Sequence, residues 1–207
     1  MNSHPPTNIH WAAKGYALAV VVLAFVIGWG HPQAPQLSAS ETADAAAAVS
    51  LVTAREHLEV LAAELRSVCS EHHAAAREYL IEHLAAAGFE TAVQVADVNG
   101  VSWGVHYARV YNVLGRLPGR GDGEAVMLVA HYDSTPGSPG AGDNGAALAA
   151  LLEVARVLGT GPPLDRDVIV LFSDAEEIGL LGAQAFVAQP PWAAEVGIAF
   201  NFAARGS

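Results

Sequence analysis

Residues 125–130 read AVMLVA and residues 167–172 read DVIVLF, runs of Val, Ile and Leu without the polar alternation of a half-exposed strand. Runs of this kind form strands buried on both faces, which requires helices above and below the sheet. Between them Leu148, Leu151, Leu152, Ala155 and Leu158 fall on one face of a helix. The order strand, helix, strand predicts a βαβ crossover joining two parallel neighbours. Upstream, Leu58, Leu61, Ala62 and Leu65 predict one helix, and Tyr79, Leu80, His83, Leu84 and Ala87 predict another that stops at Gly88. TAVQVA and VHYARVYNVLGRL, the latter ending at Pro118-Gly119, predict two more strands. The expected class is α/β, a three-layer αβα arrangement with a mostly parallel central sheet and no internal repeat.

Composition narrows the function. With 52% hydrophobic and 15% charged residues in 207, the chain is too apolar for disorder and long enough for a substantial core. Ten Lys+Arg against 21 Asp+Glu, a formal charge of −11, leave no basic stripe for a nucleic-acid backbone. The single cysteine, Cys69, supports neither an internal disulfide nor a thiolate cluster, so a metal site must use His, Asp and Glu.

The amino-terminal part is organised differently. Tyr16 to Trp29 carries no charge, Lys14 precedes it, and Trp11, Ala12 and Ala13 extend the apolar stretch if Lys14 snorkels. This predicts a membrane anchor over residues 11–30; a cleaved secretory signal is the alternative, disfavoured because no small-x-small site closely succeeds Trp29. Both export the rest of the chain, and the absence of Lys or Arg between Trp29 and Arg55 places that remainder outside the cytoplasm, periplasmic or at the cell surface. The expected plan is a stub and anchor at 1–30, a Pro-, Ala- and Ser-rich linker at 31–52 and a domain at 53–207.

Ligands of such sheets gather beyond the carboxyl ends of the strands, where the unusual residues lie. AVMLVA runs into His131-Tyr132-Asp133, whose period of two sends His131 and Asp133 to one side, so that a carboxylate can orient an imidazole facing a metal. The Gly-rich loop after it lacks a GK[ST] ending, which disfavours a nucleotide cradle. Asp143 in Asp143-Asn144-Gly145 reads equally as a turn residue or as a ligand. After DVIVLF comes Ser173-Asp174-Ala175-Glu176-Glu177: Ser173 and Glu176 have capping-box spacing, while adjacent carboxylates also suit a metal hydrolase that needs one ligand and one base.

NVLGRLPG, HYDSTPGSPGAGDNGA and LFSDAEEIGLLGAQAF together make the chain, from about Arg55 onward, resemble the co-catalytic di-zinc aminopeptidases of metallopeptidase family twenty-eight. That family includes glutaminyl cyclase relatives and a membrane-tethered, endoplasmic reticulum metallopeptidase branch. The resemblance implies that His131 binds the first zinc, that Asp133 orients it, and that Asp143 bridges two zincs through a residue often succeeded by a cis peptide. It also implies Glu176 as the general base and Glu177 as a ligand of the second zinc, acting on a peptide or small aminoacyl substrate. In Asn201-Phe202-Ala203-Ala204-Arg205-Gly206, Ala203 stands where the family has a ligand carboxylate, and no later histidine ligand precedes Ser207. The expectation is a chain truncated at its carboxyl end that holds at most one zinc weakly. The alternative is a non-catalytic, membrane-anchored interaction module. His72 and His73 are expected at a solvated helix start, and His57, His83 and His106 as structural or surface groups.

Overall fold

The computed structural model describes residues 48–101, 104–189 and 192–204. The predicted anchor and most of the linker lie outside these residues; within them, no helix is long and apolar enough to cross a membrane.

Helix α1 spans Leu51–Leu61 and starts where the Ser50 hydroxyl accepts the Thr53 N–H at 3.1 Å. Helix α2, Glu71–Ala86, begins at Ser70, which caps His73 N in the same way, and ends before Gly88, whose φ of +85° suits a residue without Cβ. Strands β1, Glu90–Val101, and β2, Val105–Leu117, form an antiparallel hairpin. Then come β3 (Ala125–His131), α3 (Ala146–Thr160), β4 (Val168–Ser173), α4 (Leu181–Ala188) and, after a 3₁₀ turn at Trp192–Glu195, β5 (Val196–Asn201). The first helix is shorter than its periodicity predicts, since the chain leaves the helix at Ala62 and exposes Leu65.

The sheet order is β1-β2-β4-β3-β5. β3 pairs in parallel with both β4 and β5, as the strand-helix-strand pattern predicts, but β2 runs antiparallel to β1 and to β4. The sheet is therefore mixed, not mostly parallel. The reason lies in the connections: three residues between β1 and β2 permit only an antiparallel return, whereas the β3–β4 link carries a whole helix.

β4 is buried along its full length, and its side chains divide the core. Val168, Val170 and Phe172 pack with Leu61, Leu80, Leu84, Leu148 and Leu152 of α1 to α3, while Ile169 and Leu171 pack on the other face with Phe186 of α4. Each such side chain contributes about 1.5–3 kcal/mol by leaving water. Helices thus cover both faces of the sheet.

Candidate metal centre

β3 and β4 end side by side, with His131 opposite Ser173, so the loops beyond them open at one edge of the sheet. His131 is buried there. Its Nδ1 lies 3.1 Å from the Asp133 carbonyl and 3.3 Å from Asp133 Oδ1, and its Nε2 lies 3.0 Å from Asp143 Oδ1 and 4.0 Å from Glu176 Oε2.

Asp133 has no solvent exposure and a second task. Its Oδ1 accepts the Glu176 N–H at 3.0 Å and its Oδ2 the Glu177 N–H at 3.1 Å. The capping box expected between Ser173 and Glu176 is absent, because no helix starts there: α4 begins only at Leu181, after a turn in which Ala175 and Leu180 take positive φ. The carboxylate that satisfies the backbone of the Glu pair comes from the neighbouring strand end instead.

Asp143 sits in a bulged turn at Ala141–Gly145, and the Asp143–Asn144 peptide is cis, as the family resemblance implies. Gly140 enters this turn at φ +65°, and a Cβ there would collide with the Asp143 carbonyl oxygen. Asn144 is buried and donates its Nδ2–H to the Phe202 carbonyl at 2.7 Å, tying the end of β5 to the turn. Ala203 comes directly after that contact and brings an exposed methyl group, not a ligand.

His131, Asp143 and Glu177 each offer one ligand atom, and the three atoms lie within 4.8 Å of one another. Glu177 Oε1 and Asn144 Oδ1 are buried without a hydrogen-bond partner. A buried acceptor left without a donor is costly, and a cation would relieve it. An imidazole with carboxylates is a donor set that suits zinc. The electrostatics agree. Burial lowers the His131 pKa, but the Asp133 carboxylate, with Glu176 and Asp143, overcomes this and raises it to about 9. Burial pushes Glu176 up, opposed by His131 and reinforced by Asp133 and Asp143; burial also pushes Glu177 up, with Asp143 next in weight. Four acids around one imidazole form a pocket of concentrated negative charge.

The remaining histidines divide. His72 is exposed and pairs with Glu64 at 2.5 Å, as a solvated helix start predicts. His73 is not solvated: it is buried, stacks on the Tyr132 ring at 4.6 Å, and its Nε2 lies 2.8 Å from Asp174 Oδ1. Asp174 is itself fully buried and accepts the Tyr111 N–H, which pins the start of the turn carrying Glu176 and Glu177. His57 is buried, and its Nδ1 shares a hydrogen bond with the Tyr79 hydroxyl at 2.7 Å, while His83 Nδ1 meets the Tyr79 carbonyl at 2.8 Å; both are structural, as expected. Sequence reasoning passed over Arg66, Asp174 and the anchoring side of Asn144. For Asp174 the available signal was an acid directly after an all-apolar strand.

Residues 112–207 match the profile of peptidase family M28. Endoplasmic reticulum metallopeptidase 1 of Mus musculus is 37% identical over 103 residues, 49% of this chain and 12% of the mouse protein. The vacuolar membrane protease of Candida dubliniensis is 40% identical over 104 residues, 50% of this chain and 11% of that protein. The chain thus matches only about an eighth of the length of these relatives. In fold it is similar to a Zn-dependent exopeptidase from Parabacteroides distasonis, with TM-score 0.63, 24% identity, and coverage of 76% of this chain and 61% of that one. It is also similar to the glutaminyl cyclase of Porphyromonas gingivalis, with TM-score 0.64, 23% identity, and coverage of 74% and 58%. The matched stretch from Asn112 onward, through the two strand ends that carry His131, Asp143 and the Glu pair, is thus similar to peptidase family M28.

Proposed function

We propose that this chain carries a zinc centre for hydrolysis of a peptide or small aminoacyl amide, an aminopeptidase-type reaction. His131, Asp143 and Glu177 would hold one ion, three protein ligands being the usual complement of a catalytic zinc with one position open. The family resemblance implies two zincs, but Ala203 contributes no ligand, and the three available ligands sit close enough to serve a single ion. When bound, the ion supplies Lewis-acid polarisation of the scissile carbonyl and lowers the pKa of water.

The chain's own residues supply the rest. Asp133 holds the His131 imidazole from its Nδ1 side and fixes the backbone of the Glu pair. Glu176 is the general base: 37% of its side chain is exposed, enough to meet a substrate, and its raised pKa suits a group that takes a proton and gives it back. Water attacks the carbonyl carbon, its proton passes to the Glu176 carboxylate, and the same proton moves to the leaving nitrogen as the C–N bond breaks. The plan that goes with this reading is a membrane-anchored protein with the domain at 53–207 outside the cytoplasm. The charge-free Tyr16–Trp29 segment and the membrane protease among the relatives support it.

The observation that carries the proposal is the convergence of His131, Asp143 and Glu177 around the unpartnered Glu177 Oε1. The test is zinc content by elemental analysis of the purified full chain after dialysis, together with release of leucine from a chromogenic amide. One zinc per chain is expected, lost in His131→Ala and weakened in Glu177→Gln. Glu176→Gln should retain the zinc and lose turnover. No zinc in the wild type, or equal loss in both Glu variants, overturns the assignment. The methyl group at Ala203 favours one other reading, a non-catalytic anchored module, for which zinc without turnover is the signature. Cyclisation of an amino-terminal glutaminyl peptide with release of ammonia, without amide hydrolysis, would move the activity to the cyclase side of the family.

A further inference from the structure

Arg66 lies in the loop after α1, and its side chain is 1% exposed, yet among the described residues it forms no salt bridge. Its guanidinium is instead spent on main-chain carbonyls. Nε donates to Tyr132 O at 2.9 Å, Nη1 to Leu61 O and to Pro139 O at 2.6 Å, and Nη2 to Gly140 O at 3.2 Å. Its own backbone pairs with Ser134, Arg66 N donating to Ser134 Oγ at 2.9 Å and Ser134 N to Arg66 O at 3.1 Å. A buried charge without a direct ion pair needs its donors satisfied, and a rigid planar fork can satisfy several carbonyls at once, while the nearby Asp133 charge offsets part of the cost of burial.

The position of those carbonyls matters. Tyr132 is the residue after His131, and Gly140 lies three residues before Asp143. The stretch from His131 to Asp143 contains Gly137, Gly140 and Gly142, whose backbone is permissive, and Pro136 and Pro139, which fix only their own φ. The Arg66 fork grips both ends and anchors them to the end of α1.

We infer that Arg66 is a positioning residue for the metal centre, fixing the separation of His131 and Asp143 by holding the carbonyls at the two ends of the loop that joins them. This rests on the proposed zinc centre. It predicts that zinc affinity depends on Arg66 beyond what Arg66 contributes to folding.

The test measures Zn²⁺ affinity of the full chain by competition with a chromogenic chelator, alongside urea unfolding. Arg66→Met, which keeps the stem and removes the fork, should weaken zinc binding tenfold or more. Arg66→Lys keeps the charge, but one nitrogen cannot reach Tyr132 O and Gly140 O together, so a folded lysine variant should still bind several-fold more weakly. Leu84→Ala, in the α2 core and remote from the loop, should unfold at lower urea yet bind zinc within twofold of the wild type. If Arg66→Met does not fold, the lysine variant decides. Wild-type affinity in either folded Arg66 variant, with zinc still lost in His131→Ala, overturns the positioning role alone. A wild-type chain without zinc overturns the metal centre and this inference with it. Equal weakening in Leu84→Ala and the Arg66 variants reduces Arg66 to a folding residue.

Discussion

Replacing Asp133 with Asn changes no volume and removes only one charge, so its effect isolates what the carboxylate does. In the native chain both oxygens accept, Oδ1 from Glu176 N at 3.0 Å and Oδ2 from Glu177 N at 3.1 Å. An amide has one acceptor, and whichever way it is turned, its NH₂ meets a backbone N–H. One charge-assisted hydrogen bond worth about 1.5–3 kcal/mol is lost, and one buried N–H is orphaned at a further cost of about 1–3 kcal/mol. The sum, roughly 2.5–6 kcal/mol, is a large part of the 5–15 kcal/mol that usually separates folded from unfolded states. In a chain of this size it lowers Tm by on the order of 10 °C. The matched control is Asp97→Asn, which breaks the Arg109–Asp97 fork at 2.8 and 2.9 Å on the exposed face of the hairpin and should leave Tm where it was. Thermal unfolding monitored by circular dichroism measures both. If Asp133→Asn melts together with Asp97→Asn, the Glu176–Glu177 turn is held by something other than Asp133.

Gly140→Ala adds a methyl against the Asp143 carbonyl at φ +65°, and should weaken zinc binding as well as lower Tm; an alanine variant with wild-type zinc affinity would show that the turn tolerates the shift. The Asp167 carboxyl is held below its ordinary pKa first by the Gly119 N–H at 2.7 Å and then by Arg116. A depressed folded pKa contributes stability that is complete above the unfolded value of about 4 and is lost as pH falls through the folded one. The stability gap between wild type and Asp167→Asn should therefore be constant at neutral pH and close in acid urea titrations; a gap that widens in acid would reverse the sign of the argument. Ile198 and Phe200 expose about half their surface on β5, whose outer side carries no partner strand among the described residues. Lysine at both positions should reduce self-association in light scattering without moving Tm, and unchanged association would clear this edge of blame.

The features legible in the sequence were those that neighbouring residues determine. The apolar runs that became β3 and β4, the helix between them and the stop at Gly88 all arise from local periodicity and composition. The direction of β2 did not, because strand direction belongs to the pairing and not to the run. His131, Asp143 and the Glu pair stood out as candidates because strand ends of one sheet converge, even when the residues lie far apart in sequence, while their roles as ligands or base came from the family resemblance. Their supports did not stand out. Asp133 serves backbone 43 and 44 residues away, Arg66 holds a carbonyl 74 residues away, and His73 meets Asp174 at a separation of 101. A buried polar residue carries no periodic mark of its partner, so His73, set at the capped start of α2, reads as solvated until the fold brings Asp174 to it.

These supports are unevenly distributed around the site, and that governs how it responds to change. His131 and the Glu pair stand at the ends of β3 and β4; His131 itself, the Asp133 beside it and the Asp174 and His73 that pin the turn after β4 are all 6% exposed or less. Asp143 stands on a glycine-rich loop and is half exposed. On one side Arg66 grips that loop from the core; on the other, Phe202 O accepts from Asn144. β5 is exposed along most of its length and bonds to β3 alone, so the strand that steadies Asn144 is the one with least burial to hold it. Local opening tracks burial and contact density, which places the first loss of order at β5 and the Asp143 turn while His131 and the Glu pair remain in register. A cation bridging Asp143 to His131 and Glu177 would therefore do more than complete a reaction centre. It would bind the loosest wall of the site to the firmest.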